Sequence, residues 1–167
     1  MANKLRLREM EDIDIILFKK WLYEDHITRW YPDPLAWIHE IENRHDEFFW
    51  IHHFIVTLDQ KDIGFCQFYE YKHGGESWHG DVQMEGTYSI DYLIGDKNYL
   101  SVGLGKEIIR LLTKTIFNLP NGEKIIVQPD PDNEASCNAL LSAGYKYDHQ
   151  NKLYYIERNS DGFENQS

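Results

Sequence analysis

Apolar residues along the chain follow two rhythms, one of period two and one near 3.6, and the switching between them outlines alternating strands and helices. Leu5 to Glu9 alternates and predicts a strand. Asp12 to Tyr23 places Ile13, Ile16, Leu17 and Trp21 at helical spacing, which predicts an amphipathic helix. Pro32-Asp33-Pro34 interrupts the pattern, and Leu35, Ile38 and Ile41 predict a second short helix running into Glu42 to His45. Phe48 to Leu58 and Asp62 to Tyr71 are aromatic and β-branched runs parted by Asp59-Gln60-Lys61, a hairpin signal. Residues 72–86, with Gly74-Gly75 and Gly80, read as a long loop.

Thr87 to Ile94 is the best strand of the sequence, and Lys106 to Phe117 follows it as a helix that Leu119-Pro120-Asn121-Gly122 stops. Lys124 to Gln128 predicts a short strand. Pro129-Asp130-Pro131-Asp132 is a bend leading into a helix from Asn133 to Ala143, with Gly144 as its C-terminal stop. Tyr145 to Tyr147 and Leu153 to Glu157 form a last strand pair. The order predicts a mixed α/β fold in one domain, 1–158, with a polar tail over 159–167 and no internal repeats.

Composition narrows the function classes. At 167 residues with 42% hydrophobic and 14% aromatic content, the chain can bury a full core and is not disordered. No apolar run approaches the roughly 18 residues of a membrane span, and Met1-Ala2-Asn3-Lys4 runs directly into a strand, without a secretory pattern. A cytoplasmic location without membrane attachment is expected. Cys66 and Cys137 lie in no metal-ligand spacing and read as free thiols, neither a good nucleophile. A net charge of −11 argues against nucleic acid as a partner, because that affinity rests on clustered Lys and Arg. It fits a cationic small molecule, although acidity also simply keeps a protein soluble.

Two features carry candidate chemistry. Ser101-Val102-Gly103-Leu104-Gly105-Lys106, set between strand and helix, can act as an anion cradle. Closely spaced glycines let backbone approach a phosphate, and the helix start aims free N–H groups at it. A Gly-x-Gly after a strand is also a common turn. The second feature is Asp91, in the middle of Thr87-Tyr88-Ser89-Ile90-Asp91-Tyr92-Leu93 and twelve positions before Gly103. A mid-strand carboxylate is unfavourable unless it is bonded to backbone, paired with a buried Arg, or retained for proton transfer.

Ile90-Asp91, Val102-Gly103-Leu104-Gly105, Pro129 with Asn133, Ala143-Gly144-Tyr145 and the strand Ile63-Gly64-Phe65-Cys66-Gln67-Phe68-Tyr69 occur together in this order. In that combination the chain resembles the GCN5-related N-acetyltransferase superfamily over nearly its whole length, and within it the aminoglycoside 6′-N-acetyltransferases. The resemblance implies a central twisted, mostly antiparallel sheet with a splayed strand pair flanked by helices. It implies acetyl-CoA as co-substrate and no metal, with pyrophosphate on the backbone of Ser101, Val102, Gly103, Leu104, Gly105 and Lys106. It also implies pantetheine pairing along Leu93 and Ile94, and contact with Asn133, which is independently a good helix cap. Asp91 is the implied base for the acceptor amine, which must lose a proton before it can attack a thioester.

The acceptor side is expected in Gln67, Tyr69, Glu70, Tyr71, Glu76, Trp78 and Asp81, around the long loop, with Gln128 and Asp130. Carboxylates pair with ammonium groups and aromatic faces attract cations or stack on sugars. Two positions depart from the family. Leu140 stands where many members carry a Tyr that protonates the departing thiolate, and Gln128 stands where the subgroup tends to carry Asp. His39-Glu40 lacks a second zinc ligand because Asn43 follows four positions on, and His52-His53 should point to opposite faces of a strand. Trp30-Tyr31 reads as core or lid. The expected activity is direct acetyl transfer to a primary amine, foremost the 6′-amine of an aminoglycoside, by a monomer or homodimer. Another small amine, a siderophore precursor, a protein N-terminus or a non-catalytic acyl-CoA sensor are the alternatives.

Overall fold

The computed structural model describes residues 4–159. Seven strands form one sheet in the order β1-β2-β3-β4-β5-β7-β6. They are β1 (Leu5–Glu9), β2 (Ile51–Leu58), β3 (Lys61–Glu70), β4 (Thr87–Ile94), β5 (Lys124–Val127), β6 (Lys146–Asp148) and β7 (Leu153–Glu157). Five helices flank it: α1 (Asp14–Leu22), α2 (Asp25–Thr28), α3 (Pro34–Glu42), α4 (Leu104–Phe117) and α5 (Glu134–Ser142).

Strand alternation divides the core into two layers. Ile55, Phe65 and Leu93 face one side and pack against Phe18 and Leu22 of α1 and Ile41 of α3. Val56, Cys66, Phe68 and Ile90 face the other and pack against Ile108, Ile109, Leu112 and Ile116 of α4 and Leu140 of α5. A sheet covered on both faces explains why β2 and β3 are apolar nearly throughout.

Six neighbouring strand pairs hold the sheet, and only β4 with β5 runs parallel. That pairing covers Thr87 with Lys124 and Tyr88 with Ile125, after which the strands separate. The rest of β4, from Ser89 to Ile94, therefore presents an unpaired edge to a wedge-shaped opening.

The structure moves several expected boundaries. The helix after the glycine turn starts at Leu104, so Gly105 lies inside its first turn. Residues 44–50 form turns, and β2 begins at Ile51. Tyr145 sits in the turn after α5, its N–H bonded to Leu140 O, and does not join β6. Helix α2 was not foreseen, since four polar-rich residues show no periodicity. From residue 160 on, the expected tail lies outside the described residues.

Candidate active site

Two adjoining cavities open on the wedge. The larger, about 550 Å³, is lined by Leu93 and Ile94 of β4, by Ser101, Gly103, Leu104, Gly105 and Lys106, and by Asn133 and Ser136 at the start of α5. The glycine turn takes the shape required of an anion cradle. Ser101 and Gly103 both have positive φ, 62° and 82°, and Gly103 caps α4. Such a turn, followed by the first N–H groups of a fourteen-residue helix, concentrates donors and the positive dipole end in one place. Nothing lies within 4 Å of where a Gly103 Cβ would stand, so the space in front of it is open to a ligand. The Val102 side chain is 62% exposed and takes no part in the lining.

Pairing along β4 decides which amides face the opening. Gly95 N–H donates to Ile63 O at 2.8 Å, and alternation then turns the odd residues of β4 toward β3 and the even ones toward the wedge. Leu93 thus contributes lining while its amide is committed to the sheet, and Tyr92 and Ile94 present the free edge. Two side chains already cap carbonyls there: Tyr31 Oη donates to Tyr92 O at 2.5 Å and His26 Nε2 to Ile94 O at 2.9 Å.

The smaller cavity, about 260 Å³, holds Asp91, Tyr69, Ser89, Glu76, Trp78, Gln128 and Asp130. Asp91 accepts from Gln67 Nε2 at 2.9 Å, and Gln67 stands opposite it in the β3–β4 register. Burial pushes the Asp91 carboxyl up to about 7; the Gln67 bond opposes this, and the negative charges of Glu40 and Glu76 add to it. Glu40 in turn accepts from buried His53 at 3.0 Å. Glu76 is held by both oxygens, Oε1 accepting from Tyr69 Oη and Oε2 from Trp78 Nε1, each at 2.8 Å. The loop carboxylate is therefore fixed in direction before any ligand arrives.

Other expected acceptor residues fall elsewhere. Gln67 is 2% exposed and lies behind Asp91, where it touches the carboxylate and not the cavity. Glu70 is on the opposite face from Gln67 and Tyr69 by alternation, and it bonds Asn121 and pairs with Lys72. Tyr71 is fully buried beneath Trp78, with ring centroids 4.9 Å apart, and supports the loop from below. Asp81 is tied by Gln150 and Asn151 to the β6–β7 turn, outside the cavity. Gln128 lines the wall with its amide committed to Lys152 O at 2.9 Å. Asn133 lines both cavities and caps α5 by accepting from Ser136 N–H, which meets the cap role.

Trp30, Tyr31, Tyr92, Asn133 and Ser136 border both cavities. Trp30 and Tyr31, read as core or lid, are therefore cavity-lining residues. Tyr92, Ser136, Ser89 and His26 were not singled out in the sequence, although Ser89 shares Asp91's face by period two. Among the described residues no group of three or more His, Cys, Asp or Glu could hold a metal ion. His52 stacks on Phe68 while His53 stacks on Phe65, on opposite faces as expected. Cys66 is sealed in the core, where burial pushes its thiol up.

A glycine turn at a helix start, leading along an open strand edge to a half-buried carboxyl, is an arrangement suited to an acyl-CoA N-acyltransferase. The chain belongs to the acetyltransferase (GNAT) family, whose domain profile matches residues 10–153. It is 25% identical over 150 residues to the aminoglycoside N(6′)-acetyltransferase type 1 of Klebsiella pneumoniae and to that of Serratia marcescens, covering 86% of this chain and 75% of each relative. A shorter stretch of 69 residues, 41% of this chain and 64% of the relative, is 29% identical to a kanamycin resistance protein of Rhizobium radiobacter. Among solved structures, the fold is shared with aminoglycoside acetyltransferase AAC(6′)-Ib in complex with coenzyme A, at TM-score 0.80 and 23% identity over 93% of this chain and 95% of that one. The aminoglycoside N(6′)-acetyltransferase of Legionella pneumophila matches at TM-score 0.67 and 17% identity, over 93% and 91%. The protein is thus an N-acetyltransferase with the splayed, mostly antiparallel sheet expected from its sequence. No helix among the described residues is long and apolar enough to cross a membrane.

Proposed function

We propose that the protein, as a single domain over 1–158, moves the acetyl group of acetyl-CoA directly to a primary amine, and that the amine is the 6′-amine of an aminoglycoside. The observation that carries this reading is Asp91: a half-buried carboxyl, pushed up to about 7, beside the junction of a cofactor-sized cavity and an acidic one. Pyrophosphate rests on the turn from Ser101 to Lys106, and the pantetheine arm runs along the Tyr92–Ile94 edge. Coenzyme A and acetyl-CoA are what solved relatives hold in complex with the same fold.

An arriving ammonium pairs with ionised Asp91, which takes its proton. The freed amine attacks the thioester carbon, the C–S bond breaks with its electron pair on sulfur, and the amide forms. The net reaction yields acetyl-amide, CoA thiol and one proton for each ammonium consumed. Direct transfer is favoured because neither cysteine lines the cavities: Cys66 is sealed in the core, and Cys137 is absent from both linings.

Three carboxylates, Asp91, Glu76 and Asp130, together with the rings of Trp30, Trp78 and Tyr69, suit a polycationic sugar, and this supports the aminoglycoside over a simple amine. The aminoglycoside N(6′)-acetyltransferase relatives add to that support. The test is CoA release with acetyl-CoA and a panel of aminoglycosides, one carrying a 6′-hydroxyl in place of the amine. Turnover confined to the 6′-amino compounds is expected. Acetyl-CoA binding without turnover of any of them would sink the acceptor and leave the donor side standing.

A further inference from the structure

Transfer needs a group that stabilises the charge left on sulfur, and this inference rests on the acetyl-CoA reading above. The sulfur must lie where the donor and acceptor cavities meet, because the thioester carbon has to be reached from Asp91. Three side-chain hydroxyls border both cavities: Tyr31, Tyr92 and Ser136. Tyr31 commits its one proton to Tyr92 O at 2.5 Å. Tyr92 Oη donates to Ser136 Oγ at 3.4 Å, a long bond that a better acceptor can displace.

The surroundings keep that hydroxyl accessible and placed. A Cβ on Gly105 would stand 3.4 Å from Tyr92 Oη and 3.6 Å from Ala139 Cβ, so the bare glycine leaves room beside the phenol. The ring packs on the same core cluster as Leu140, which fills its own place with carbon alone. Ser136 lies in the first turn of nine-residue α5, whose N-terminal dipole favours negative charge at the same point.

We propose that Tyr92 is a catalytic residue: its hydroxyl, with Ser136 as second donor, hydrogen-bonds the sulfur as the C–S bond breaks. Tyr92 keeps its proton. Burial pushes its phenol above the usual range, so it is a weaker acid than a thiol of pKa about 8.5, and the thiolate leaves hydrogen-bonded and takes its proton from water. Other groups near the junction are Lys106 on α4, Cys137 on α5, Asp91 on β4 and Tyr31 on the link before α3; all remain when Tyr92 is changed.

The test needs no acceptor. The thiol of bound CoA is titrated by thiolate absorbance in the wild type, Tyr92→Phe and Ser136→Ala. It should ionise about one pH unit lower in the wild type than in Tyr92→Phe, with Ser136→Ala between them. Equal titration in wild type and Tyr92→Phe would overturn the proposal. With a working acceptor, kcat of Tyr92→Phe should fall about tenfold while acetyl-CoA affinity stays within twofold. A loss of rate matched by a loss of affinity would make Tyr92 a packing residue. If no amine is acetylated by the wild type, the acceptor reading falls while the thiol titration still decides the role of Tyr92.

Discussion

The two cavities of this acetyltransferase are built from different materials. The larger cavity, proposed for the donor, is organised around main chain: a turn with positive φ at Ser101 and Gly103, a helix N-terminus and a strand edge, with side chains such as Trp30 and Tyr92 completing its wall. The smaller cavity, proposed for the acceptor, is lined from β3, β4, the loop after β3, the link after α2, the bend after β5 and the start of α5. Main-chain recognition tolerates sequence change so long as the turn geometry survives. Side-chain recognition changes with each single substitution of a lining residue, such as Gln128.

Substitutions can separate these halves. The largest effect is expected for Asp91→Asn, which should lower turnover about 10²- to 10⁴-fold and leave acetyl-CoA affinity nearly intact, measured by steady-state kinetics and calorimetric titration. The same change has an opposite effect on stability. Asp91 holds its proton to about pH 7 in the folded protein and loses it near 3.8 otherwise, so the folded state binds more protons between those values. Stability therefore falls as pH rises through that window, and Asp91→Asn should melt higher than wild type above pH 7 but not at pH 4.

Next comes the donor side. Gly103→Ala meets no neighbouring atom but must hold a φ of 82°, which costs about 1–2 kcal/mol, and its methyl points into open cavity. Acetyl-CoA should bind about tenfold more weakly, while the acidic limb of the rate profile stays in place. A moved limb with unchanged affinity would erase the division between the halves.

The smallest effect probes how far the acceptor side extends. Glu40→Gln keeps an acceptor for His53 but removes a negative charge that raises Asp91. The acidic limb of kcat/KM should shift down by about 0.5 pH unit, since less repulsion lets the carboxyl ionise earlier. An unmoved limb would confine the tuning of Asp91 to burial, Gln67 and Glu76.

The same division governs what the sequence disclosed. Glycines and a capping Asn report main-chain geometry directly, so the turn at Gly103, the cap at Asn133 and the strand through Asp91 could be placed from residue type and period. The acceptor wall depends on which way a side chain turns at the end of a strand. Glu70 and Tyr71 looked like natural wall residues, yet alternation sends Glu70 to the other face and the short turn after β3 folds Tyr71 under Trp78. Asp81 answers to Gln150 and Asn151, roughly seventy positions away, a pairing no local pattern announces. Tyr92 and Ser136 became visible only once two elements 44 residues apart stood side by side.

The wedge between β4 and β5 has one more consequence. Seven residue pairs join β3 to β4, but two join β4 to β5, so the sheet is nearly cut into an amino-terminal and a carboxy-terminal half at that seam. A ligand lying in the wedge would touch both sides of the cut and act as a strut. Occupied at about a hundred times its dissociation constant, it adds roughly 2.7 kcal/mol to cohesion. On the proposed reading, the opening is a structural joint that the substrate itself would complete.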